Sequence, residues 1–381
     1  MTKKIVDKVG TLESLIESMN TTFKDGDFAV ALEKDFISKL DWLSSGNYAI
    51  NFACTGSPYK SIPFGRIVSF VGDSGSGKSL LANHFLAETQ KIGGIGVLFD
   101  VERANYIQQL NKLGIDSSKL IISGSKILED IFEKAIAFIK SYKEKNMTAP
   151  LTIVIDSLSQ ASSRHEMEEG FDKSDMKRAQ VIRKGLRMIS GLISDNKVCL
   201  IIINHQTSSI GNPYGPSKVT TGGSAVEYFP SQVIDVGRGK TIKNDAEIPI
   251  GLEVRVRIAK SRFFVPFVTA RVQIYFDRGF EPTSGLFEML EQSGAIIKVS
   301  QAGWWAFRDE KPERCKECEA KIAKGVECEP CKECKIKKYR ETEIFDLIKA
   351  DIDKYLKLIE NIKVSAVGVD SIEYSENKKE E

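Results

Sequence analysis

Three observations predict an α/β fold built on a mostly parallel central sheet. The stretch Gly72-Asp73-Ser74-Gly75-Ser76-Gly77-Lys78-Ser79 fits G-x-x-x-x-G-K-[ST], and it lies between an apolar, β-branched run at 65–71 and a helix-forming run at 80–87. Short apolar segments at 66–71, 95–100, 151–156 and 198–204 alternate with helical stretches, as strands and covering helices do in a parallel sheet. The polar signals follow the carboxyl ends of those segments, where open α/β sheets bind their ligands.

In chain order, residues 1–40 read as an appendage. Leu12, Leu15, Ile16 and Met19 recur at helical spacing, and a second apolar stretch, 28–40, follows the turn Lys24-Asp25-Gly26-Asp27. This region is too small to bury its own core, so it packs on the core domain or on a neighbouring subunit. The glycine-rich loop comes next. Its glycines let backbone N–H groups converge on phosphate oxygens, and the helix N-terminus behind adds a favourable dipole. Residues Gly72, Asp73, Ser74, Gly75, Ser76 and Gly77 would form this cradle, with Lys78 on the β- and γ-phosphates and Ser79 on Mg²⁺.

The strand at 95–100 ends Asp100-Val101-Glu102. An acid there can polarise an attacking water, and it can equally be an ordinary loop carboxylate. The strand 151–156 ends in Asp156, which paired with the loop at 72–79 reads as the second acidic partner of Mg²⁺. Residues 162–184 carry Arg164, His165, Lys173, Lys177, Arg178, Arg183 and Lys184, a loop running into a basic helix or a solvated helix face. The strand 198–203 leads to Asn204-His205, and 206–223 is rich in Gly, Pro and hydroxyls with no apolar periodicity, a loop that is functional or disordered. Segments 252–258 and 268–276, separated by Lys260-Ser261-Arg262, read as antiparallel strands continuing the sheet.

The chain has 381 residues, two or three domains by length, and a net charge of +2, so any nucleic-acid contact rests on a local patch. No apolar run is long enough to span a membrane and no signal-peptide core is present, which reads as a cytosolic protein. Cys54 and Cys199 sit alone in apolar segments as inert core residues. The other five cysteines form Cys315-x-x-Cys318 and Cys328-x-x-Cys331-x-x-Cys334. Cys315, Cys318, Cys328 and Cys331 suit a tetrahedral Zn²⁺ site, with Cys334 replacing one or standing free; an unstructured or redox-active cluster is the alternative. Ile344, Leu347, Ile348, Ile352, Leu356, Ile359 and Ile362 recur at helical spacing, so 342–363 reads as one amphipathic helix packed on the domain before the cysteines. The tail, 365–381, reads as disordered.

The succession Gly-Asp-Ser-Gly-Ser-Gly-Lys-Ser, Phe-Asp-Val-Glu, Val-Ile-Asp-Ser, Ile-Ile-Asn-His, Thr-Thr-Gly-Gly-Ser-Ala and Ala-Lys-Ser-Arg resembles the RecA family of DNA recombinases over about 47–307, and most closely the UvsX type of tailed phages, which also has His after Asn. The resemblance implies a RecA-like P-loop ATPase core at 41–307, after the appendage and before a Cys-rich module (308–340), a C-terminal helix (341–364) and the tail. It implies ATP and Mg²⁺ as cofactors, DNA-dependent ATP hydrolysis, and helical filaments on single-stranded DNA that pair with homologous duplex DNA. Glu102 matches the general base, His205 the γ-phosphate sensor, and Lys260 and Arg262 the cations that reach a neighbouring subunit's ATP. The segments 160–176 and 206–222 match two DNA-binding loops, with Arg164, Lys177, Arg178 and Arg187 as DNA contacts. Thr221, Gly222 and Gly223 match positions that meet DNA phosphates through backbone amides. Tyr106 and Gln109 fall near the adenine pocket. A single-strand-binding protein and a recombination mediator are implied partners, in a cytoplasm that is the host's if a phage encodes the chain. The alternatives are a hexameric helicase of the same superfamily and a non-catalytic mediator; Lys78, Ser79, Glu102 and Asp156 together argue against the latter.

Overall fold

The computed structural model describes residues 40–169, 174–194, 196–208, 218–220, 225–300, 303–308 and 337–361. The appendage, the cysteine module, Thr221, Gly222, Gly223 and the tail lie outside the described residues. The chain divides into Met1–Asp41 and Trp42–Glu381, and every described strand and helix belongs to the second unit.

Fourteen strands are described. They are β1 (Trp42–Leu43), β2 (Ile62–Pro63), β3 (Ile67–Gly72), β4 (Ile95–Asp100), β5 (Leu120–Ser123), β6 (Leu151–Asp156) and β7 (Val198–Ser208), then β8 (Lys218–Thr220), β9 (Gln232–Lys243), β10 (Pro249–Ser261), β11 (Thr269–Tyr275), β12 (Gly279–Phe280), β13 (Ile296–Ser300) and β14 (Trp304–Phe307). The main sheet runs β12-β11-β10-β9-β3-β7-β6-β4-β5, with β8 pairing β7. From β9 to β5 every neighbour is parallel, and β10, β11 and β12 continue it antiparallel.

The parallel half is apolar on both faces because its side chains alternate between two cores. Val68, Phe70, Leu98, Val154, Ile201 and Ile203 join one core with the Tyr48–Thr55 and Lys78–Lys91 helices. Ile67, Val97, Phe99, Ile153, Ile155, Leu200 and Ile202 join the other with the Leu128–Glu144 and Ser174–Ile193 helices. The last two helices approach closely at Gly185, where a Cβ would fall 2.4 Å from the Phe132 ring.

The C-terminal segment differs from a single helix. It forms Glu341–Ala350 and Ile352–Asn361, broken at Asp351 (φ −151°, ψ 75°), whose carboxylate accepts from the Lys354 N–H at 3.2 Å. An Asp that satisfies an early N–H of the next helix favours a fresh start over continuation. Both helices pack on the first core: Phe345 lies 5.7 Å from Phe287, and Tyr355 lies 4.9 Å from Phe307. Trp305 and Tyr339 exchange backbone hydrogen bonds of 2.9 and 2.8 Å, so the chain leaves and re-enters this core at neighbouring points on either side of the cysteines.

Candidate active site

The carboxyl ends of β3, β4, β6 and β7 form one rim, and register sets what meets there. Gly72 on β3 lies opposite His205 on β7, and Asp100 on β4 lies opposite Asp156 on β6. Gly72 has φ +148°, and a Cβ on it would fall 2.2 Å from the Val236 carbonyl oxygen, so only glycine lets the chain turn off β3 beside β9. Gly77, at φ +97°, then opens the helix that begins with Lys78.

Lys78 is buried and donates to the carbonyls of Gly72 at 3.0 Å and Asp73 at 2.7 Å. Burial lowers its pKa, opposed by Asp156, Glu102 and Asp73. Burial likewise raises the Asp156 carboxyl to about 6, against a hydrogen bond from Ser79 that favours the anion. Ser76 Oγ and both polar atoms of the fully buried Asn204 side chain have no hydrogen-bond partner. A rim with a buried ammonium, a hydroxyl–carboxylate pair and orphaned donors fits a nucleotide phosphate and its Mg²⁺: Lys78 and the loop amides suit the phosphates, and Ser79 with Asp156 suits the metal.

Glu102 stands at the centre of this rim. Its Oε1 accepts from Ser157 Oγ at 3.1 Å and meets His205 Nε2 at 3.2 Å. Both contacts fall on one oxygen, which leaves Oε2 for a water. The loop carrying Glu102 is held from below. The Asp100 carboxylate, 4 % exposed, accepts from the N–H groups of Ala104 at 3.2 Å and Asn105 at 3.0 Å. Asn83, on the Lys78–Lys91 helix, donates to Asn105 Oδ1 at 2.7 Å. Tyr106, 69 % exposed, and the exposed Gln109 follow at the Ile107–Lys112 helix, in the open.

Lys260 and Arg262 are elsewhere. Lys260 pairs with Val233 on β9, and Val233 with Ser69 on β3, so the two cations sit at the end of the sheet opposite Gly72. Lys260 donates to the carbonyls of Glu227 at 2.8 Å and Tyr228 at 3.1 Å, and Arg262 to Tyr228 at 3.4 Å. The other basic residues divide. Lys177 and Arg187 are exposed on the Ser174–Ile193 helix. Arg164 is ion-paired with Asp130 at 2.6 Å and Glu133 at 3.2 Å. Arg178 donates to the carbonyls of Leu158, Ser159 and Ala161.

Sequence reasoning missed Asp100, Asn83, Asn105, Ser157 and Ser159, because polar residues in strand ends and turns carry no periodicity. Asp100 had one readable signal, a carboxylate ending an apolar strand like that at Asp156. Cys54 and Cys199 are buried free thiols, as their apolar surroundings predicted, with burial pushing the Cys54 pKa up to about 12. No described helix is long and apolar enough to cross a membrane.

Residues 10–281 match the RecA N-terminal domain. The chain is 30 % identical over 305 residues to Protein RecA of Mycoplasma mycoides subsp. mycoides SC, covering 79 % of this chain and 84 % of that protein. It is 30 % identical to Protein RecA of Rippkaea orientalis over 273 residues, 71 % and 75 % of the two chains. To Protein RecA of Ruegeria pomeroyi it is 28 % identical over 310 residues, 81 % and 86 % of the two.

Proposed function

The chain belongs to the RecA family, and from that premise we propose how its residues serve an ATP-dependent recombinase of DNA recombination and repair. It is a DNA-dependent ATPase. The observation that carries the residue assignment is the meeting of Lys78, Ser79, Asp156, Glu102 and His205 on the rim that bears the phosphate loop.

ATP with Mg²⁺, when bound, supplies the phosphoryl group and neutralises the charge that develops on it. Lys78 and the amides of 72–77 hold the phosphates. Ser79 and Asp156 hold the metal. Glu102 takes the proton of the attacking water on Oε2, since Oε1 already carries two contacts. His205, beside Gly72 on β7, senses the phosphate and stands at the start of the second DNA-binding segment. Lys260 and Arg262 act on the ATP of the next protomer: a trans role is supported by their position toward the start of β3 and by their bonds to the Glu227 and Tyr228 carbonyls rather than to their own loop. Stacking each site against the next copy produces a heterologous, open filament, with single-stranded DNA held for pairing with a homologous duplex. A single-strand-binding protein and a mediator complete the proposed partners.

Two finer readings belong to the same proposal. His after Asn at 204–205 supports the UvsX type of tailed phages. Cys315, Cys318, Cys328 and Cys331 bind Zn²⁺ as four thiolates, in a segment whose flanks are drawn together by the Trp305–Tyr339 pair. The module docks incoming duplex DNA. Metal analysis of the purified chain before and after thiol modification tests the zinc; one equivalent lost on modification is expected, and none at the outset overturns it. Electron micrographs with ATP and single-stranded DNA test the whole reading, filaments being expected and rings pointing to a helicase.

A further inference from the structure

A chain of hydroxyls runs beneath Glu102. The backbone N–H of His205 donates to Ser159 Oγ at 3.4 Å, Ser159 and Ser157 are joined Oγ to Oγ at 2.9 Å, and Ser157 Oγ donates to Glu102 Oε1 at 3.1 Å. Each hydroxyl has one proton to give. Ser157 gives its proton to Glu102, so the bond between the serines must carry the proton of Ser159, and Ser159 in turn accepts from His205. All three bonds therefore point the same way, and bonds so aligned polarise one another. The turn that carries Ser159 is clamped from the opposite side. Arg178 donates to the carbonyls of Leu158 at 2.7 Å, Ser159 at 2.8 Å and Ala161 at 3.2 Å.

We infer that Ser159 is a positioning residue for hydrolysis, tying Glu102 to His205 near the end of β7 and, through Arg178, to the basic Ser174–Ile193 helix. Arg178 thereby acts on the turn and not on DNA. A displacement of His205 or of that helix alters the hydrogen bond that aims Glu102, giving a route by which DNA engagement sets the rate of ATP cleavage. The inference rests on the assignment of Glu102 as the general base.

The test is steady-state ATP hydrolysis by the full-length protein at saturating single-stranded DNA. Ser159→Ala is expected to lower kcat roughly five- to tenfold with the KM for ATP unchanged, the mark of lost transition-state alignment rather than lost binding. Ser159→Thr, which keeps the hydroxyl, restores most of kcat. Arg178→Met lowers kcat with the same split and leaves the affinity for a fluorescent oligonucleotide as it was, so the inference remains testable should Ser159→Ala fail to fold. A wild-type kcat in Ser159→Ala, or Arg178→Met weakening DNA binding at unchanged kcat, overturns it. Glu102→Gln separates the two levels: if it still turns over ATP, the assignment of the base falls and the inference with it, whereas a dead Glu102→Gln beside a fully active Ser159→Ala removes the inference alone.

Discussion

The two halves of the central sheet use charge differently because they are buried differently. In the parallel half, from β9 to β5, helices cover both faces and strand ends share one rim, so reactive side chains converge within a single chain. In the antiparallel half, β10 alternates buried Val254, Val256 and Ile258 with exposed Arg255 and Arg257, and its last residues carry Lys260 and the route to Arg262 to the opposite end. One half gathers Glu102, Ser157 and His205 on its rim; the other ties Lys260 and Arg262 to the carbonyls of Glu227 and Tyr228. Under the trans role proposed for those cations, hydrolysis reports assembly.

The largest expected effect breaks the convergent half alone. Lys78→Ala removes the buried ammonium and lowers DNA-stimulated phosphate release by about 10²-fold or more, measured against unchanged folding by circular dichroism. Next comes the other half. Lys260→Ala with Arg262→Ala lowers hydrolysis and filament length together, by about 10-fold or more in turnover. Mixing that variant with Glu102→Gln sharpens the comparison, because joints that place an intact rim against intact cations regain activity; mixtures no more active than either parent argue for a cis role.

Two smaller effects probe the β3–β9 seam inside the parallel half and the link from its helix to β12. Gly72→Ala drives a Cβ to 2.2 Å from the Val236 carbonyl on β9, at φ +148°, and is expected to cost about 3 kcal/mol or more in denaturant titration. His84, on the Lys78–Lys91 helix, accepts the Phe280 N–H of β12 on Nε2 at 2.8 Å, and burial, aided by Lys91, pushes its pKa down to about 4. A histidine depressed in the folded state favours the neutral form. Its contribution is whole above the unfolded value near 6.5 and is lost as pH falls through about 4. Stability should drop by roughly 3 kcal/mol across that window, and His84→Gln should flatten the profile. An unflattened profile would mean that the link between the halves does not pass through this ring.

Legibility followed burial and apolar pattern rather than that division, since the antiparallel strands at 252–258 and 268–276 were legible too. The strands ending at Gly72, Asp100 and Asp156 were readable because burial on both faces demands an unbroken apolar run, and Glu102, just past one of them, meets Ser157 and His205 on the rim. β5 was not readable, since Ile121 and Ile122 are half exposed and the run is four residues long. β9 was hidden by Gly237, Gly239 and a charged end. The break at Asp351 was masked by apolar spacing that continues through it, although an Asp before a new helical turn was there to be seen.

By itself the amino-acid order determined the phosphate loop, the acids at the strand ends and the apolar faces, because these depend on local backbone freedom and on periodicities of two and 3.6 residues. Only the tertiary structure decided that Glu102 shares an oxygen with Ser157 and His205, that Arg178 is spent on three carbonyls, and that Lys260 lies at the wrong end of its own sheet. Those facts come from register and crossover between segments far apart in the chain, and no local pattern encodes which partner a strand will meet.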